Sequence, residues 1–160
     1  MGDLLSMLTL LAALGCGVTS GVFFAFSSFV MKALGRLPAP QAITTMQEIN
    51  TAAPTPAFMA LLFGTAMACG SLILSSLFVW GESHAAYLLI GGASYLGCVI
   101  GLTVVYHVPR NEALAKVDPR GVDAEGRWSR YLSGWNAWNH LRFAGALAAS
   151  AALTIALQAG

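Results

Sequence analysis

The stretch AFMALLFGTAMACGSLILSSLFVW, residues 57 to 80, carries no charged side chain from end to end. A helix rises about 1.5 Å per residue, so roughly 20 such residues cross the hydrocarbon of a bilayer. Lipid offers no partner to backbone amides, and a span of this kind must therefore close its hydrogen bonds within itself, as a helix does. The turn Gly81-Glu82-Ser83-His84 follows it, and then a second apolar run over 85–108. Reading outward finds two more, over 4–31 and 141–157, with His107 and Arg142 near the ends of their runs. The expected fold is all-α: an integral membrane four-helix bundle, a single transmembrane domain over 1–160, with helices in its cytoplasmic connections.

Composition agrees with that reading. Hydrophobic residues make up 57% of the 160 and charged residues 9%, and the mean hydropathy is +0.70, outside the range of soluble globular domains. A net charge of +1 without a polybasic patch gives no footprint for nucleic acid. The placement of charge says more than its sum. Lys32, Arg36, Arg110, Lys116, Arg120, Arg127, Arg130 and Arg142 all fall in the first and third connections or at their edges. By the positive-inside rule these connections, 32–56 and 109–140, are cytoplasmic. Both termini and the 81–84 turn are then extracytoplasmic, in a multi-pass protein of the plasma membrane whose first partner is the lipid bilayer.

The N-terminal MGDLLS matches a myristoylation pattern and LAALGC resembles a lipoprotein cleavage box. The apolar run begins at once and continues well past Cys16, so a retained helix is expected in place of a processed leader. Cys16, Cys69 and Cys98 sit in three different spans without the paired spacing of metal or disulfide sites, and are read as packing residues. Small residues recur every four positions: Ala13, Gly17, Gly21 and Ala25; Ala60, Gly64 and Ala68; Ala93, Gly97 and Gly101. Such ridges let helices approach closely, within the bundle or, where one is left over, in a homo-oligomer.

The polar chemistry lies in the two long connections. Pro40 and Pro54 bound a short helix from about Gln41 to Ala53, with Ile43, Met46, Ile49 and Ala53 on one face and Gln47 and Asn50 on a neighbouring one. Pro109 stops the third span, Asp118-Pro119-Arg120-Gly121 makes a turn, and from about Asp123 one helix runs into the last span. Along it Trp128, Tyr131, Leu132, Trp135, Trp138, Asn139 and Arg142 fall at helical spacing, with Asn136 and His140 on an adjoining face. An interfacial aromatic belt anchored by a snorkelling Arg142 explains the tryptophans. It does not explain Asn136, Asn139 and His140 as well, nor Gln47, Asn50 and Asn111 at the same membrane level. Convergent amides and an imidazole beside flat aromatic walls suit a pocket for a planar, partly polar molecule; the resemblance given below makes the expected partner a small hydrophobic aromatic one.

Other functions leave weaker traces. His107 and His140 come from separate segments without the spacing of a metal-binding helix, so no metal site is assigned, with that pair as the alternative. Proton-coupled export needs an ionisable group inside the membrane, and the cores of the four spans carry none. A non-catalytic binding protein, or a scaffold that engages a partner through its cytoplasmic helices, uses the same residues without chemistry.

MQEIN with the following APTPAF, then VPRNEAL, then RYLSGWNAWNHLR resemble, in order and at matching spacing, the anthrone oxygenase-like family of small four-helix membrane proteins. The resemblance implies a monooxygenase that oxidises a tricyclic anthrone to an anthraquinone, with molecular oxygen as co-substrate and no metal or flavin cofactor. It implies His140 as the base. Gln47, Asn50, Asn111, Asn139 and Arg142 would donate hydrogen bonds to developing oxyanions, and Trp135 and Trp138 would stack on the rings. His107 stands where the family pattern has an amide, and is read as an interfacial residue, with a second titrating group as the alternative.

Overall fold

A computed structural model describes residues 1–160. Five helices account for the chain: α1, Asp3–Leu34; α2, Ala39–Ala52; α3, Pro56–Phe78; α4, Ala85–Ala115; and α5, Ala124–Ala159. All but α2 are long and apolar enough to cross a membrane. Thr55 starts α3 by accepting a 3.2 Å hydrogen bond from the Phe58 amide, with Pro56 in the first turn, where its missing N–H costs nothing.

The four long helices form an antiparallel bundle in which α1 packs against α3 and α5, and α4 packs against the same two. At one end the Met1 ammonium donates to the Gly160 carbonyl at 2.8 Å and the Ser83 hydroxyl to that of Ala159 at 2.6 Å. The termini and the α3–α4 turn therefore share that end. The cations gather at the other, where α1, α2, α4 and α5 extend the bundle around Met31, Ile43, Met46, Leu114, Trp128 and Tyr131.

Mid-bundle packing is close because small side chains face large ones. Gly91 meets Leu153, Gly92 meets Ile73 and the Cys69 carbonyl, Gly15 meets Thr65, and Gly145 meets Cys98; a Cβ at any of these positions would collide. Gly64 and Gly97, by contrast, are exposed with open space where a Cβ would stand, and Gly21 is exposed too. The glycines in the middle of the ridges expected on α3 and α4 thus turn away from the bundle, while Ala68 packs against the core. Spacing identifies a ridge but carries no information on which way it points. Cys16 and Cys69 do pack together in the core, their sulfurs 3.9 Å apart.

Three stretches depart from regular α-helix: Phe26–Val30 in α1, and Tyr95–Gly101 and Thr103–His107 in α4, are π-helical. A π turn closes i→i+5 bonds and so holds more residues per turn than the α-helix. Along α4 the inward positions accordingly run Tyr95, Val99, Thr103, His107 and Asn111, one every four residues.

Candidate functional site

All five helices contribute to one cavity of about 600 Å³ at the cationic end of the bundle, a size that suits a small organic ligand. Its walls are mainly apolar: Phe23 and Phe26 of α1, Met46 and Ile49 of α2, Phe58 and Leu62 of α3, and Trp135 of α5. Thr103, His107, Asn111 and Glu112 of α4, Asn50 of α2 and Arg142 of α5 supply the polar lining. The rim residues Ala52, Ala53, Pro54, Val108 and Glu112 are exposed, so the mouth lies between the α2–α3 connection and α4.

Trp135 and Arg142 are seven residues apart and so share a helix face, two turns from one another. Asn111 fixes the first of them. Its Oδ1 accepts from Trp135 Nε1 at 3.0 Å and from the Tyr131 hydroxyl at 2.8 Å. Beside Trp135 stands His107, 2% exposed, edge-on to that indole at a centroid distance of 4.9 Å and to Tyr106 at 5.5 Å. Neither of its ring nitrogens has a partner in the protein. The interfacial placement expected for His107 is therefore incorrect. The π turn Thr103–His107 rotates it from the lipid-facing side into the cavity wall.

Arg142 is 6% exposed. Its guanidinium carbon lies 3.8 Å over the Phe23 ring, and Nε has no hydrogen-bond partner. A snorkelling arginine would carry its head to water, whereas this one turns inward. Asn50 completes the inward-facing set, with a buried Nδ2 that donates to nothing. Buried polar groups are nearly always paired, so several unpaired ones around one ligand-sized cavity make it the candidate binding site.

Four residues expected at the site do not line this cavity. Gln47 donates through Nε2 to the carbonyls of Leu114 at 2.9 Å and Val117 at 3.0 Å. It caps the end of α4, satisfying carbonyls that a helix terminus leaves free. Asn139 is fully buried and donates to the Phe23 carbonyl at 2.9 Å and the Ser27 hydroxyl at 2.8 Å, clamping α5 to the π turn of α1. Trp138 is 41% exposed and lies against Tyr106 outside the cavity. His140 is exposed, with Nε2 3.4 Å from Asn136 Nδ2. No group of three or more His, Cys, Asp or Glu is placed to hold a metal ion.

Residues 57–152 match the family model described as anthrone oxygenase. The chain belongs to the anthrone oxygenase family. No curated protein and no solved structure matches it. The stretch matching the anthrone oxygenase model contains His107, Asn111, Trp135 and Arg142, and the cavity is completed from outside it by α1 and α2, which bring Phe23, Phe26, Met46 and Asn50.

Proposed function

We propose that the cavity binds a planar, anthrone-like aromatic and that the protein oxidises it with molecular oxygen, without a metal or flavin. The observation that carries this reading is that, in an anthrone oxygenase family member, a base-capable His107 and a buried cation, Arg142, line one aromatic-walled cavity. An anthrone's carbonyl and its acidic methylene lie on opposite sides of the central ring. A base and an oxyanion partner must therefore flank the ring from different walls, as side chains from α4 and α5 can.

The chemistry needs little more from the protein. His107 takes a proton from the methylene carbon, and Arg142 holds the enolate oxygen as charge develops there. The electron-rich carbanion passes an electron to dioxygen, and the two recombine with formation of a carbon–oxygen bond. Imidazolium returns its proton to the peroxide. Neutral His107 then removes the remaining hydrogen on that carbon as the O–O bond breaks, and the departing hydroxide leaves as water. One dioxygen is consumed, one of its atoms stays in the new carbonyl, and the other is in water. Trp135 and the phenylalanines bind the ring system before and during the reaction alike.

Oxygen uptake by purified protein, with a panel of anthrones and a chelator present, tests the proposal. One O₂ consumed per anthraquinone formed is the expected result. Activity abolished by the chelator would overturn the cofactor-free mechanism. Folded protein that binds anthrones but turns none of them over would be a binding protein.

A further inference from the structure

We infer that the cavity selects planar aromatics bearing one ionised oxygen group, an aryl carboxylate or an ionised phenol, and seats that group against Arg142. The inference rests on the cavity being the ligand site, and adds a resting negative charge on the ligand, held by one edge of the Arg142 fork while another of its N–H groups remains for the ring oxygen that becomes the enolate.

The argument starts from the cations. Seven of the eight Lys and Arg side chains are exposed, and Arg142 alone is buried. No carboxylate is paired with it. The face of Phe23 offsets part of its charge, as an aromatic quadrupole does, but Nε remains without an acceptor. A buried, unpaired guanidinium is among the least favourable arrangements a fold can hold, and an anion beside it removes that penalty. Its planar fork suits carboxylate and phenolate oxygens.

The position of Arg142 fixes where the charge must lie on the ligand. Helices α4 and α5 are antiparallel, and the Asn111–Trp135 bond and the Cys98–Gly145 contact set their register. Arg142 is therefore level with Thr103, deeper than His107, and roughly two to three helical turns from Glu112 at the rim. The inner end of the cavity is cationic. The only acid in its lining stands at the mouth, where it would repel a second negative charge. A monoanion with its oxygen group leading fits this polarity, and a dianion charged at both ends does not.

The test is equilibrium binding to the protein in nanodiscs, read by quenching of tryptophan fluorescence, with protein-free nanodiscs correcting for partition. Two matched pairs serve as probes: anthraquinone-2-carboxylate with anthraquinone-2-carboxamide, and 2-hydroxyanthraquinone above its pKa with 2-methoxyanthraquinone. The wild-type protein should bind the anion about 10- to 100-fold more tightly than its neutral partner, the difference that one charge-assisted hydrogen-bonded contact supplies. Arg142→Gln should bring the ratio to within about threefold of unity, Arg142→Lys should keep part of it, and the surface variant Arg120→Gln should leave it unchanged. A preference in one pair alone identifies which oxyanion the site takes. Neutral and anionic probes binding equally to wild type, or a preference that survives in folded Arg142→Gln, overturns the anion site while leaving the aromatic cavity intact. If none of the four probes binds, the cavity reading fails with it.

Discussion

The imidazole of His107 stands edge-on to the indole of Trp135, at 83° and 4.9 Å between centroids, and Trp135 is in turn held by Asn111 through a 3.0 Å bond from Nε1. The base-capable group and the stacking surface are thus one unit, oriented by an amide that does not need to touch a ligand. Neither nitrogen of His107 makes a hydrogen bond within the protein, so the ring is not committed to a protein partner.

His107→Gln should lower turnover of an anthrone by about two to four powers of ten, since a positioned general base contributes that much. His140→Gln should change it by less than about threefold, because that side chain is exposed and only approaches Asn136. Oxygen uptake at saturating substrate measures both, and probe binding confirms an intact cavity. The opposite ranking would return the base to His140.

The contrast between these two histidines shows how far the sequence could be read. Apolar length is a local property, so the four spans and the α2 helix are legible from the chain alone. Trp135 and Arg142 are legible as one face because α5 is regular. His107 is not. In an α-helix every fourth residue advances about 40° around the axis, so a position 12 residues beyond Tyr95 should lie about 120° away from its face. The π turns of α4 cancel that drift, and the sole trace of them in the sequence is the four-residue spacing of Tyr95, Val99, Thr103, His107 and Asn111. The role of Asn139 was hidden for a related reason. Its partners are a carbonyl and a hydroxyl at the π turn of α1, far away in the chain.

Asn139→Leu should cost stability more than rate. It removes two buried hydrogen bonds and should destabilise the protein by about 1–3 kcal/mol, seen as a lower Tm in detergent, while kcat at a temperature where the variant is folded falls no more than a few-fold. Ser27→Ala, which removes one of the two partners, should have a smaller effect of the same kind. A hundredfold loss of turnover at unchanged Tm would restore Asn139 as a donor to the developing oxyanion.

Glycine positions should separate into two groups. Gly91→Val and Gly145→Val place new atoms against Leu153 and Cys98, and overpacking of that kind costs about 1–3 kcal/mol or more. Gly64→Val and Gly97→Val point into open space and should stay within about 0.5 kcal/mol of wild type. Thermal denaturation of the four variants compares them directly. Equal losses at all four would mean that the exposed glycines of α3 and α4 are covered by something, a second copy of the chain being the simplest candidate to test by cross-linking.

Orientation follows from charge and decides from which compartment a ligand arrives. Every Lys and Arg lies at the end that carries the cavity mouth, whereas Asp3 and Glu82 lie at the end where the termini meet. The positive-inside rule then predicts a cytoplasmic mouth. Cysteines introduced at the two ends test this against a low background, since Cys16 and Cys69 are buried and Cys98 is half-buried inside a span. In intact cells Glu82→Cys should react with an impermeant thiol reagent, and Arg120→Cys should react only after the membrane is permeabilised. The reverse pattern would place the mouth outside the cell. An intracellular aromatic would then have to cross the bilayer before reaching Arg142.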